Sequence, residues 1–258
     1  MKLPLTPRHV LALGRDTQAA RAPRPPILVR GVLAEQLAAA LRAGGDPSLV
    51  RTTGDPAVAS AVVCVVAGAA TPEDERALRT AARALVPLVA VQTGDPATPL
   101  PYVLATEVVD CRPGAGFPVE EIAQALARVL RRDGPVLARS LPVLRDPVES
   151  RRAVEGAVAA ASLAALGRAA STPHLPLISQ AQMLSDIATA EGAAPPEAPR
   201  ASLEAVAPPL ALSLATSAVV GQSLRRLPVR HRLLDAVAAG LASLGVAMLY
   251  RRVAARLP

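Results

Sequence analysis

Three residues stand where an open α/β sheet would hold a ligand. Gly31 follows the apolar run Ile27–Arg30, Gly68 follows Ala61–Ala67, and Asp95 lies just beyond Val86–Gln92. Sheets of that kind bind ligands at the carboxyl ends of their strands, so these positions mark where a nucleotide would sit. Ordinary P-loop chemistry is closed to the chain. That loop, G-x-x-x-x-G-K-[ST], cradles phosphates on backbone amides and neutralises them with its lysine, and Lys2 is the only lysine among 258 residues. His9, His174 and His231 show no H-x-x-x-H spacing for a metal, and no serine lies in G-x-S-x-G. Cys64 and Cys111 form no C-x-x-C and sit in apolar, strand-like runs, where they read as small buried hydrophobes. Glu120 and Glu121 open a helix, where the helix dipole accounts for paired acids. These residues assemble no catalytic constellation and call for no metal or cofactor.

The elements that would position them alternate. Ile27–Arg30 reads as a strand, and Val32–Ala43 as a helix with Val32, Leu33, Leu37, Ala40 and Leu41 on one face, ended by Gly44-Gly45. Leu49–Thr52 is a weak strand. Ala61–Ala67 is apolar throughout, as in a strand covered on both faces. Thr71 and Pro72 suit the N-cap and first position of a helix, with Glu73, Asp74 and Glu75 at its positive end. Val86–Gln92 and Tyr102–Val109 read as further strands. Pro118–Arg132 is the clearest helix, with Val119, Ile122, Ala123, Leu126, Val129 and Leu130 on one face and Gly134-Pro135 as its stop. Alternating strands and helices predict a mostly parallel, Rossmann-like sheet with flanking helices.

Beyond residue 135 the strand pattern disappears. Ala-rich stretches at 149–170, 177–190, 210–224 and 233–253 predict a helical bundle, with Gly156, Gly167, Gly240 and Gly245 allowing close approach. The organisation expected is an arm at 1–26, an α/β domain at 27–134 and a helical domain at 135–258.

Composition narrows the partners. Aromatics are 1% of the chain (Tyr102, Phe117 and Tyr250), too few for the stacking platforms of single-strand nucleic-acid binders. No sequence-specific nucleic acid is expected. The net charge is +7; from Arg200 onward eight arginines stand against Glu204 and Asp235, which places +6 of it in the last quarter. Arg225, Arg226, Arg230, Arg232, Arg251 and Arg252, with Tyr250 as an interfacial ring, are therefore the expected contact to a partner protein or an anionic membrane surface. Arginines that merely solubilise helix ends would give the same count.

Two resemblances add to this. AVVCVVAGAATPED, VPLVAVQTGD and GAGFPVEEIAQALARVL resemble strands and the final helix of Era-like GTPases, over about residues 25–132. The resemblance implies a degenerate GTPase-like domain without its P-loop. Asp95 would match the guanine-reading carboxylate, while Gln92 and Thr93 depart from the N-K-x-D pattern. The short spacing of the last two strands, too brief for a full crossover helix, departs as well. A generic Rossmann-like domain explains the same residues. Pro173–Gly192, PHLPLISQAQMLSDIATAEG, resembles the core motif of the DUF697 or YcjF-like family, with Gln182, Met183, Ile187, Ala188 and Gly192 matching. That family often follows a GTPase-like domain, has members associated with the bacterial inner membrane, and offers no catalytic residue to carry over. Without it, Gln182 reads as a buried helix–helix hydrogen-bond donor.

Ala205–Leu224 and Ala236–Tyr250 carry no charge. A spanning helix needs about 20 apolar residues; the second run is shorter, and Pro208-Pro209 shortens the first. Arginines at both ends of the last helix also oppose the positive-inside bias. The N-terminus, broken by prolines, does not read as a signal peptide. The combined expectation is a non-catalytic, cytoplasmic scaffold or adaptor, peripheral at the inner membrane surface. The alternatives are a nucleotide-binding regulator using Gly31, Gly68 and Asp95, and an integral membrane component.

Overall fold

The computed structural model describes residues 24–94, 100–112, 114–165, 174–192 and 232–254, which fall into two compact units, Pro23–Val148 and one containing Glu149–Pro258. The first is built on five parallel strands: β1 (Ile27–Gly31), β2 (Val50–Arg51), β3 (Ala61–Ala67), β4 (Leu88–Thr93) and β5 (Val108–Cys111), in the spatial order β2-β1-β3-β4-β5. This is a doubly wound order, and its direction of growth reverses between β1 and β3.

The sheet is central because its strands are apolar on both faces. All but the last residue of β3 are buried. One face carries Leu28, Val62, Cys64, Val66, Leu88 and Ala90 against Leu78 and Ala81 of α2 (Pro72–Arg83). The alternate strand residues, Val29, Val63, Val65, Val89 and Val91, are equally buried. They point to the other face, where α1 (Ala34–Arg42) and α3 (Val119–Val129) pack on β1 and β4 and on each other.

Helix α2 starts as its sequence dictates. Thr71 and Asp74 form a reciprocal capping box, and Pro72 takes the first turn. It ends in a Schellman motif: the Leu85 amide donates to Ala82 O (3.1 Å) and the Val86 amide to Ala81 O (2.9 Å). The left-handed residue of that motif, ordinarily glycine, is Leu85, with φ 58°.

Several expectations shift. Helix α1 begins at Ala34, and Val32 and Leu33 are exposed instead of lying on its buried face, which is Leu37, Ala38 and Leu41. The Val32 amide is held by Val65 O (3.1 Å) and Leu33 turns through φ 56°, so the chain leaves the sheet before it coils. The strand expected from Tyr102 starts only at Val108, after a 3-10 turn at Ala105–Glu107. The connection from β4 to β5 thus spans residues 94–107 and shows no α-helix among its described residues; Leu100 and Val103 pack on the core there instead. Gly134-Pro135 does not end the chain's helical path. A 3-10 turn at Arg131–Asp133 leads into α4 (Gly134–Ser140), where proline is tolerated in the first turn. Leu137, Leu141 and Leu144 are fully buried, and Asp46 N donates to Ser140 O (2.9 Å), so residues up to Val148 belong with the sheet.

The second unit holds most of α5 (Arg145–Ala165), with α6 (His174–Ala190) and α7 (Arg232–Ala254). Ala153, Met183, Leu184, Ile187, Val246 and Ala247 form its core. The stretch 210–224 and Gly167 lie outside the described residues.

Candidate functional site

Two regions gather the residues singled out by sequence. At the carboxyl edge of the sheet, Gly31, Gly68 and Gly94 end β1, β3 and β4, all with positive φ. They serve different ends. A Cβ on Gly31 would stand 2.0 Å from Val65 O, so this glycine exists to let β1 and β3 close. Gly68 has open space where its Cβ would be; its amide donates to Thr93 O (3.0 Å), and a Cβ on Gly94 would come 4.0 Å from Gly68 N. Among the described residues, Gly68 and Gly94 therefore form an open lip over β3 and β4. Asp95 lies outside the described residues.

Beneath that lip the polar side chains are tied into the fold. Gln92 is buried, with Nε2 directed at Gly68 O at 3.5 Å. The Asp74 carboxylate accepts from the Thr71 amide (3.0 Å) and hydroxyl (2.8 Å). Cys64 Sγ lies 3.9 Å from Asp74 Oδ1. Burial, and then the neighbouring Asp74 charge, push the Cys64 thiol up to about 12, which outweighs the opposing effect of Arg30. A thiol so held is protonated near neutrality and is a poor nucleophile. Both cysteines are free and buried. Sequence reasoning missed Gly94 and the Cys64–Asp74 contact. The spacing Thr71-x-x-Asp74 could have flagged the capping box, but no local signal places Cys64 beside it.

In the helical unit, α5 and α7 are joined by Arg251, whose Nε lies 2.6 Å from Glu149 Oε2; Glu149 is only 2% exposed. Arg152 reaches both Glu155 (2.9 Å) and Asp186 of α6 (3.2 Å). Gly156 admits Met183, whose Sδ would be 2.3 Å from a Cβ there, and Gly240 lies against Ala157 O (3.5 Å). Among the described residues Gly245 has no neighbour in that range. Gln182 is exposed, so it is not the buried donor expected; the buried glutamine of α6 is Gln180. Met183 does pack between helices, whereas Gly192, with φ 108° and open space around it, follows the end of α6.

Of the residues expected to face a partner, Arg225, Arg226 and Arg230 lie outside the described residues, as does the side chain of Arg232 at the start of α7. Tyr250 packs on the helical core. Burial, followed by the negative charge of Glu191, raises its phenol above the ordinary value. Arg251 is engaged with Glu149, and Arg252 is exposed. What sequence missed is apolar. Val237, Leu241, Met248 and Leu249 of α7 are all exposed, as are Val154 and Val158 of α5.

Among the described residues no helix is long and apolar enough to cross a membrane, and no group of three His, Cys, Asp or Glu side chains could hold a metal ion. Comparison with protein-family models, curated proteins and solved structures finds no match.

Proposed function

We propose that the chain is a non-catalytic adaptor whose helical unit docks a partner protein on α7. The observation that carries this reading is the outward face of that helix. Val237, Leu241, Gly245, Met248 and Leu249 are exposed with no charge among them until Arg252. A helix that borders solvent normally turns polar residues outward, and contiguous exposed apolar surface marks interaction sites. Covering a leucine or methionine side chain fully is worth about 1.5–3 kcal/mol, so two or three such contacts would sustain a specific complex. Arg252 at the end of the face favours a partner with a carboxylate at its rim.

Site-specific photocrosslinking in the native cell tests it. A crosslinker at position 241 or 248 should capture one recurrent protein, a control at Glu155 should not, and Leu241→Glu should abolish the product made from 248. Absence of a recurrent product from either position would sink the reading.

A nucleotide-binding role has one observation in its favour, the open lip of Gly68 and Gly94 at adjacent strand ends. Calorimetry with GTP and ATP decides it: heat that Gly68→Val removes supports the role, and no heat with either nucleotide discards it.

A further inference from the structure

The opposite edge of the sheet carries a second surface. Three successive loops feed β3, β4 and β5, which are neighbours in the sheet, and each presents at least one large apolar side chain to solvent near the amino-terminal end of its strand. Val58, Leu85 and Leu104 are 65%, 90% and 72% exposed, and stand three or four residues ahead of their strands. The start of β3 is joined to the lead-in of β4 where Val62 N donates to Pro87 O (2.9 Å). Tyr102, also exposed, sits beside Leu104, and its hydroxyl accepts from Arg79 Nε (3.2 Å) while the guanidinium lies 6.0 Å from its ring centre.

Leu85 is the decisive residue. It occupies the left-handed position of the α2 Schellman motif, where glycine is the unstrained choice, and its side chain lies almost wholly in water. Neither conformation nor burial accounts for a leucine there. Strain kept where the fold gains nothing points to a use for the side chain.

Charge indicates the use. Arg76, Arg79 and Arg83 share the outer face of α2, exposed and in no ion pair among the described residues. The acids of that helix, Glu73, Asp74 and Glu75, are confined to its first turn, at the far end from Leu85. At 1.5 Å per residue, Arg79 stands about 6 Å behind Arg83 along the helix axis, and Leu85 follows the last helical residue, Arg83, by two positions. Because α2 returns from the carboxyl end of β3 to the amino end of β4, that axis points out through the edge. Apolar tips leading with cations stacked behind them match the layering of a bilayer surface, whose headgroup layer is roughly 5–8 Å deep on each side of the hydrocarbon. A peptide lying in a groove would need its apolar and charged anchors side by side.

We infer that this edge of the α/β unit, led by Leu85 and Leu104 and backed by Arg79 and Arg83, docks onto an anionic lipid surface. The surface is independent of α7, so this inference and the adaptor reading stand or fall separately.

Co-sedimentation of the full chain with vesicles tests it, using phosphatidylcholine alone or mixed with phosphatidylglycerol. The chain should pellet only with the anionic vesicles and be released by salt. The pair Leu85→Glu and Leu104→Glu should lower the partition about tenfold, and Arg79→Gln or Arg83→Gln about fivefold each at low salt. Leu85→Gly relieves the backbone while removing the anchor, so it should raise the unfolding midpoint yet weaken binding several-fold, a combination that damage to the fold cannot produce. Failure of the wild type to pellet with anionic vesicles would overturn the inference. So would undiminished binding by Leu85→Gly and by the double glutamate variant, or loss of binding that tracks loss of stability.

Discussion

At the scale of single residues, the two ligand-edge glycines should behave differently. Gly31→Ala drives a methyl into Val65 O at 2.0 Å, a backbone atom, with no flexible side chain to move aside. It should cost at least about 3 kcal/mol and open the pairing of β1 with β3. Gly68→Ala meets nothing and should cost only the left-handed conformation, about 1–2 kcal/mol. Urea unfolding of both variants separates them. Sequence marked both glycines as strand ends, but only the packing of β3 against β1 tells which one a ligand could approach. Cys64 supplies a pH signature. Its thiol is raised from 9.0 to about 12 in the folded chain, so between those values the folded state holds a proton the unfolded state has lost. This contribution to stability is complete below pH 9 and is lost as pH rises toward 12. Cys64→Ala should therefore show a shallower alkaline loss of stability than the wild type, measured by chemical unfolding from pH 8.5 upward. An identical slope would mean that the thiol titrates normally. That Cys64 is buried could be read from its apolar run; that it lies beside a carboxylate could not, because Asp74 reaches it only once α2 folds back on β3.

At the scale of elements, α5 and α7 are held together by a charge that water scarcely reaches. Removing one partner of a buried pair costs about 3–5 kcal/mol, but Arg251 is partly exposed, so Arg251→Ala should fall at the lower end. Arg251→Ala combined with Glu149→Gln should cost less than the two single changes added together, because each single change already removes the same ion pair. A double-mutant cycle by thermal unfolding measures it, and additive effects would dissolve the proposed tie. In sequence Arg251 belongs to a terminal basic cluster, which suggested a partner outside the chain. Its actual partner is about a hundred residues away, beyond the reach of any local pattern. The same limit explains why Gln180 rather than Gln182 is buried: a two-residue difference on a helix is a rotation of about 200°, and only the neighbours of α6 decide which side is inside. Elements whose signals are local were legible. The Thr71-Pro72 helix start, the uniform run of β3 and the amphipathic stripe of α3 all appear as read. The start of β5 was not, because Tyr102–Leu104 has strand-like residues while the fold uses that stretch to carry the chain over the core.

At the scale of the whole molecule, counting charge along the chain pointed to the last quarter because acids are scarce there. The stripe on α2 escaped that count. Glu73, Asp74 and Glu75 cancel Arg76, Arg79 and Arg83 in sequence, yet the helix carries the acids to one end and spreads the arginines toward the other. The division of the chain makes a separate prediction. Pro23–Val148 is a compact unit with a sheet covered on both faces, and its boundary falls inside α5 rather than at the Pro- and Gly-containing turn near residue 134. Leu137, Leu141 and Leu144 are fully buried, and Val148 lies against Gly134, with its methyl carbons 3.5 and 3.6 Å from where a Cβ on that glycine would stand. A fragment ending at residue 134 would uncover those leucines' share of the core, at about 25 cal/mol for each Å² of apolar surface exposed. A fragment of residues 23–148 keeps it. The longer fragment should therefore give a dispersed amide spectrum and one sigmoidal urea transition, with a slope of about 1–3 kcal/mol per molar as for small cooperative domains. The shorter one should lack both. If the two fragments unfold alike, α4 and the turn after it add nothing to the sheet's core, and the domain ends where the composition changes.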